Sequence, residues 1–356
     1  MSQTFDAPSA NTAGSDRIFE ELRRRWLAGE LKNQLMSEID YAGHADVDHG
    51  WDTPENRELG ETIIRSGAVG AIILAGGLAS RFGGTPKASV EITPGWPLLR
   101  IKLEILQSLR PAGVDKLPVL VIVSGATNAV VSSLLTELAF ANLDIEVIEQ
   151  PSLPQLLPSG EIALDEAGER RTSPAGHGSI LNAIGRARGV DGVKYWQVSN
   201  IDNAVTSLNP AIIAVHEASG RDVTLEVVRG GPEDVGGYLI KTARGLEIAE
   251  GFQVPEQSRP DGDFFFSTNT MVLGRSAIEA GPRLPYYVVD KKLPSGQPVV
   301  QFEQLLGDLG RVVSIGAVEV TRLGDRSRFI PLKRVEDLEA SRHRILEALK
   351  ALGLTL

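Results

Sequence analysis

The 356-residue chain has no cysteine, which excludes disulfides and thiolate metal sites and fits a cytoplasmic protein. Its five histidines, His177 among them, are too scattered to form a His-rich metal centre. No apolar run approaches the length of a membrane span, and the N-terminus lacks the apolar core of a secretory signal. Positive charge is in deficit. The 36 Lys and Arg against 46 Asp and Glu leave a net charge of −10, which argues against nucleic-acid partners. An acidic protein can still bind polyphosphate where its few cations gather in one cleft. Neither G-x-x-x-x-G-K-[ST] nor G-x-G-x-x-G occurs, so P-loop and ordinary dinucleotide readings are disfavoured. There is no repeat of solenoid period.

What is present centres on the run from Val69 to Lys87. Ala71-Ile72-Ile73-Leu74-Ala75 is a short unbroken apolar block, the pattern of a strand buried on both faces of a parallel sheet. Gly76-Gly77 stops it, and two glycines free the backbone for positive φ and for close approach to a ligand. Outward N–H groups in such a bend bind anions, polyphosphates above all. Arg81 and Lys87 add two cations, a bidentate fork and a compact point charge. Alone, Gly-Gly also reads as a tight strand-to-helix turn with solvated cations.

Residues 1–15 are polar and read as a disordered tail, followed by an N-terminal helical segment over 16–68. Within it a helix is predicted from Arg17 to about Glu38, capped by Asp16, and a second from Glu55 to Ser66. Strands are predicted at 117–124, 145–148, 194–198, 222–228, 236–240, 264–273 and 312–320. Helices are predicted at 98–109, 128–141, 180–188, 212–218 and 301–309, and a last helix over 336–352. This alternation indicates a doubly wound α/β protein: a mostly parallel, Rossmann-like mixed sheet flanked by helices, with an antiparallel extension. The catalytic domain is expected over 69–338 and a C-terminal helix over 339–356. Ligands of such sheets gather at the carboxyl ends of the strands, where Gly76-Gly77 lies.

Several polar residues stand in places that suit ligand contact. Asp202 follows a strand and is flanked by Asn200 and Asn203, so its carboxylate suits Mg²⁺ held against phosphate. Asn-x-Asp-Asn equally reads as an Asx turn. His177 lies between Gly176 and Gly178, which let main chain pass close to a ligand while the imidazole donates to phosphate. The Gln150 amide, at a strand end, could read a pyrimidine edge, and Lys333 could neutralise developing phosphate charge. Each of these alone is also an ordinary strand end or surface residue.

Taken in order, L-A-G-G-x-x-x-R-F-G-x-x-x-P-K, E-Q-P, G-H-G, N-x-D-N, a Gly-Gly strand, T-N-T and R-F-x-P-x-K span about Ala71 to Leu338. That ordered set resembles the UDP-glucose/UDP-N-acetylglucosamine pyrophosphorylase family. The resemblance implies a GT-A-like nucleotidyltransferase fold and a Mg²⁺-dependent transfer between a nucleoside triphosphate, UTP favoured, and a sugar 1-phosphate. By resemblance, Leu74, Ala75, Gly76, Gly77, Arg81 and Lys87 surround the nucleotide phosphates, Gln150 and Gly176 hold the uracil, and His177 meets the α-phosphate. Asp202 ligates the metal. Asn200, Gly237, Glu250 and Asn269 line the sugar pocket, and Lys333 grips the sugar phosphate. Arg81, Lys87 and Lys333 form the catalytic set.

The chain departs from the family at Ala79-Ser80 in the glycine loop, at Ser179 after G-H-G, and at Glu250-Gly251 in place of E-Y. It ends one helix after Lys333, so the β-helical domain of many eukaryotic members is not expected, and a monomer or homodimer is. Two alternatives stand beside this reading. One is the same chemistry on a cyclitol 1-phosphate with GTP, as in a valienol-1-phosphate guanylyltransferase. The other is a catalytically silent nucleotide-sugar binder.

Overall fold

In the computed structural model, residues 12–356 are described except 32, 34, 35, 37, 80–83, 109–115, 186, 189, 232 and 233. Residues 1–11 of the expected tail therefore lie outside the described residues, and Thr12–Ser15 open helix α1 (Thr12–Leu27). Asp16 is inside that helix and not its cap. The helix stops well short of Glu38 because Gly29, at φ 71°, turns the chain left-handed. Helix α2 (Pro54–Arg65) starts as predicted, with Pro54 at its first position and Thr53 Oγ1 accepting the Asn56 N–H at 3.1 Å.

The sheet is assembled from β1 (Val69–Leu74), β2 (Leu117–Val123), β3 (Leu143–Glu149), β4 (Tyr195–Asn200), β5 (Val223–Arg229), β6 (Tyr238–Thr242), β7 (Gly245–Ala249), β8 (Phe265–Gly274) and β9 (Ile315–Glu319). Strands β3, β2, β1 and β4 lie side by side and parallel, with Asn200 level with Leu74. Strand β8 runs antiparallel to β4 and carries the extension. On it pair β5 and then β9, and separately β6 with β7, while the short strand Asp40–Tyr41 closes the β6 edge. Since β4 and β5 both oppose β8, the carboxyl ends of β1 to β5 and β9 share one side of the sheet. The unbroken apolar character of β1 and β2 follows from cover on both faces: two large cores lie one on each side. Among the described residues no helix is long and apolar enough to cross a membrane.

Helices α3 (Leu98–Ser108), α4 (Gly125–Glu137), α5 (Pro210–Ser219) and α6 (Val335–Ala351) complete the layers, and α6 buries Ile345, Ala348 and Leu349 in the main core. The predicted helix over 301–309 is absent. Gln301 to Glu303 end a strand, Pro298–Glu303, that pairs with Tyr287–Lys292, and 306–311 form a 3₁₀ turn. Val300 and Phe302 of that strand pack with Phe19 and Leu22 of α1 and with Leu153 and Leu156 in a third, smaller core. That contact with α1, distant in sequence, decides the strand.

On α5, His216 is 1% exposed, and its Nδ1 lies 2.9 Å from Thr224 Oγ1. Burial lowers its pKa to about 4. An unfolded chain binds a proton there below about pH 6.5, whereas the folded chain refuses it down to about pH 4. Stability is therefore whole above pH 6.5 and falls on acidification, by on the order of 3 kcal/mol from this residue. Urea midpoints measured from pH 7 to pH 4 should drop, and the slope should flatten in His216→Leu. An unchanged slope in that variant would clear His216 of the effect.

Candidate active site

The glycine bend is built differently from the sequence expectation. Neither Gly76 nor Gly77 has positive φ. Gly76 is required for space: a Cβ there would lie 2.5 Å from Gln150 Nε2. Its carbonyl accepts from Ser124 Oγ at 2.9 Å. Gln150, nearly buried, follows β3 and donates its N–H to Val123 at 2.8 Å, so its amide is pressed against the bend. Leu74 and Ala75 are tied into the sheet, the Leu74 carbonyl accepting the Ile201 N–H at 3.1 Å and the Ala75 N–H donating to Ile122 at 2.7 Å. Arg81 lies outside the described residues.

Lys87 returns to the bend, its N–H donating to Gly77 at 3.3 Å. Its Nζ makes an ion pair with Asp202 Oδ2 at 2.6 Å. Asp202 sits in the turn after β4, and its carbonyl accepts the Leu332 N–H at 2.9 Å, which brings the backbone beside Lys333 to the same place. Asn203 reinforces this, donating to the Arg328 carbonyl at 2.8 Å and accepting the Ile330 N–H at 3.0 Å. Lys333 itself is exposed, and its N–H donates to Asp337 Oδ2 at 2.8 Å.

Next to this pair, Asn269 Nδ2 donates to Asn200 Oδ1 at 3.1 Å. Asn269 is left-handed (φ 57°) where β8 bulges against Glu226 and Val227. Asn tolerates that conformation better than most side chains, and backbone strain in mid-strand gathers at functional sites. The Asn269 N–H donates to Ser267 Oγ at 3.2 Å, and the Ser267 N–H to the Gly237 carbonyl at 2.8 Å. The Gly237 N–H faces the Glu250 carboxylate and favours its charged form. Burial, then the charge of Asp308, raises the Glu250 pKa to about 7, so near neutrality this carboxyl both donates and accepts.

Gly307 closes the ring, since a Cβ there would lie 3.2 Å from Glu250 Oε1. The neighbouring Leu306 N–H donates to His177 Nδ1 at 3.0 Å. Burial lowers the His177 pKa to about 4, so the ring is neutral and its proton is on Nε2, a donor. Gly176 (φ 83°) cannot carry a side chain, because its Cβ would overlap Gln304. Ser179 Oγ donates to the Gly176 carbonyl at 2.7 Å, which gives the residue that departs from the family pattern a structural task.

The described candidates thus form one linked set at the carboxyl ends of the strands. The sequence reading missed Lys102, the Arg328–Glu226 pair and the Gln304–Leu306 segment. None of them left a local signal: Lys102 shares the stretch Leu98 to Leu106 with Arg100 and Glu104, as any cation of an amphipathic helix does. A groove of about 560 Å³ lies at the same side near the ends of β5 and β9, but its arginines are engaged: Arg229 by Asp263 and Glu319, Arg322 by Asp234. Among the described residues no group of three or more His, Asp or Glu could hold a metal. A single partly exposed carboxylate, Asp202, does suit Mg²⁺ that draws its other ligands from phosphate and water.

The sequence profile of the UTP--glucose-1-phosphate uridylyltransferase family matches residues 18–352. UDP-N-acetylglucosamine pyrophosphorylase of Saccharomyces cerevisiae is 25% identical over 321 residues, covering 77% of this chain and 66% of that protein. A probable UDP-N-acetylglucosamine pyrophosphorylase of Dictyostelium discoideum is 23% identical over 282 residues, covering 68% and 58%. The chain therefore spans less than two thirds of the length of these curated relatives. Among solved structures, the uridine diphosphate N-acetylglucosamine pyrophosphorylase of Trypanosoma brucei aligns with TM-score 0.74 at 20% identity, over 93% of this chain and 75% of that one. A UDP-glucose pyrophosphorylase mutant of Leishmania major, in complex with UDP-glucose, aligns with TM-score 0.68 at 20% identity, over 91% and 74%. These likenesses establish the fold.

Proposed function

Because the chain belongs to the UTP--glucose-1-phosphate uridylyltransferase family, we propose that it joins a hexose 1-phosphate to UTP and releases pyrophosphate. The observation that carries this reading is the Lys87–Asp202 pair at 2.6 Å, hydrogen-bonded through Asp202 to the Leu332–Lys333 backbone and lying beside Asn200–Asn269. A cation for phosphate, a carboxylate for metal and polar groups for a sugar meet at one place.

In the reaction an oxygen of the sugar phosphate attacks the α-phosphorus in line. The new P–O bond forms as the bond to pyrophosphate breaks, and the electron pair leaves with pyrophosphate. The attacking phosphate is already an anion near neutral pH, so no general base is needed. What this chain supplies is positioning and charge neutralisation. Lys87 and Arg81 take the nucleotide phosphates, and Lys333 takes the sugar phosphate and the charge that develops on transfer. His177 donates from Nε2 to the α-phosphate, and Gln150 reads the base. Asn200, Asn269, Gly237 and Glu250 hold sugar hydroxyls. Asp202 would hold Mg²⁺, which when bound supplies further neutralisation of phosphate charge.

The test is a panel of the four ribonucleoside triphosphates, each with glucose 1-phosphate, N-acetylglucosamine 1-phosphate and a cyclitol 1-phosphate in the presence of Mg²⁺, read by pyrophosphate release. UTP with a hexose 1-phosphate is expected to lead. GTP with the cyclitol phosphate leading would replace both substrates. Binding of a UDP-sugar with no release from any pair would make the protein a silent binder.

A further inference from the structure

Lys102 lies in the middle of α3 and is 2% exposed. Its Nζ donates to Ser199 Oγ at 3.2 Å and to the Thr206 carbonyl at 2.8 Å. These two acceptors bracket the turn that carries Asn200, Asp202 and Asn203. Both are neutral. The void beside the ammonium, lined by Ala71, Ile73, Leu106 and Gln197, measures about 10 Å³, room for one water at most.

The charged groups around it come from three elements: Asp202 from the turn, Glu226 from β5 and Arg328 from the segment that precedes Lys333. Glu226 and Arg328 cancel each other, paired at 2.6 and 2.8 Å, and Asp202 is held by Lys87. Among the described residues, the ammonium of Lys102 is thus the charge in this layer with no anion bonded to it. Burial draws its pKa down to about 7, Arg328 adds to that fall, and Asp202 and Glu226 oppose it.

We infer that Lys102 is a positioning residue for nucleotidyl transfer: from inside the core it fixes both ends of the Asp202 turn, and it supplies a positive charge beneath the phosphate site that is completed when the triphosphate arrives. This rests on the proposed nucleotidyltransferase reading. In the free protein near neutrality the amine is only partly protonated. A triphosphate above the Asp202 turn, whose negative charge exceeds the positive charge of the Mg²⁺ it brings, favours the ammonium, so nucleotide binding draws a proton from solution into the core. A lysine that merely filled space would take up none.

The experiment is titration calorimetry of UTP with Mg²⁺ at pH 7.5 in two buffers of different ionisation enthalpy, on the full chain and on Lys102→Met. Met keeps the apolar stem and removes the charge. The unaltered protein is expected to take up a substantial fraction of one proton per UTP. Lys102→Met should lose that uptake and bind UTP about tenfold more weakly, the equivalent of one pKa unit of linkage. Equal uptake in the two proteins, with affinities within about twofold, would overturn the inference. Should Lys102→Met not fold, Ser199→Ala decides: with one acceptor gone, the pH of half-maximal uptake should fall, and an unmoved midpoint overturns the inference. Failure of the unaltered protein to bind UTP would instead remove the functional reading, and this inference with it.

Discussion

Lys333→Ala is expected to lower turnover by about 10²- to 10³-fold, the usual effect of removing one preorganised group aimed at transition-state charge, while the affinity for UTP changes by less than about threefold. The residue is exposed, so the loss should not come from unfolding. Its backbone is firmly placed: the Leu332 N–H is bound to Asp202 at 2.9 Å, and the Lys333 N–H to Asp337 at 2.8 Å. A side chain on so fixed a base can be aimed at a charge that exists only during transfer. Single-turnover rates and equilibrium UTP binding separate the two effects. Equal losses in both would confine Lys333 to holding the nucleotide.

The second large effect is expected from Arg328→Met. Arg328 donates to both oxygens of Glu226, a carboxylate 1% exposed, and to the Ser207 carbonyl at 2.9 Å. Without the guanidinium, the Glu226 carboxylate keeps, among the described residues, the Gln197 amide alone at 3.2 Å. Leaving one partner of a buried pair uncompensated costs about 3–5 kcal/mol. At roughly 2–4 °C per kcal/mol for a large domain, the melting temperature should fall by roughly 10 °C. Turnover should fall with it, because the Arg328 carbonyl also anchors Asn203 beside the Asp202 carboxylate. The double variant Arg328→Met, Glu226→Gln should recover part of the stability, and a double variant no more stable than the single would discount the charge as the cause.

Much of this was legible in the residues. An apolar block ended by glycines became the central parallel strand, and P-K, N-x-D-N and T-N-T returned as neighbours in space. Local signals suffice where the determinant is local. Gly76 was read as a turn residue, yet it is small because Gln150, from two strands away, occupies the space of its side chain. The stretch 301–309 looked helical until its apolar face met α1. Gly29, in contrast, was there to be read as the end of α1, and the run of helical periods through Leu31 masked it. Lys102 and Arg328 look like any surface cation in sequence, because only tertiary burial separates them from one.

The bond between Lys87 and Asp202 has a bearing on selectivity. The two opposite charges quench each other, so the pair casts little field toward stray ions. Orthophosphate that captures the lysine strands the carboxylate, and a bare cation that captures the carboxylate strands the lysine. A chelate that brings an anion and a cation together can replace both halves of the handshake at once. In the proposed reaction, that mutual quenching would act as a filter for metal-complexed triphosphate, set before any base or sugar is inspected.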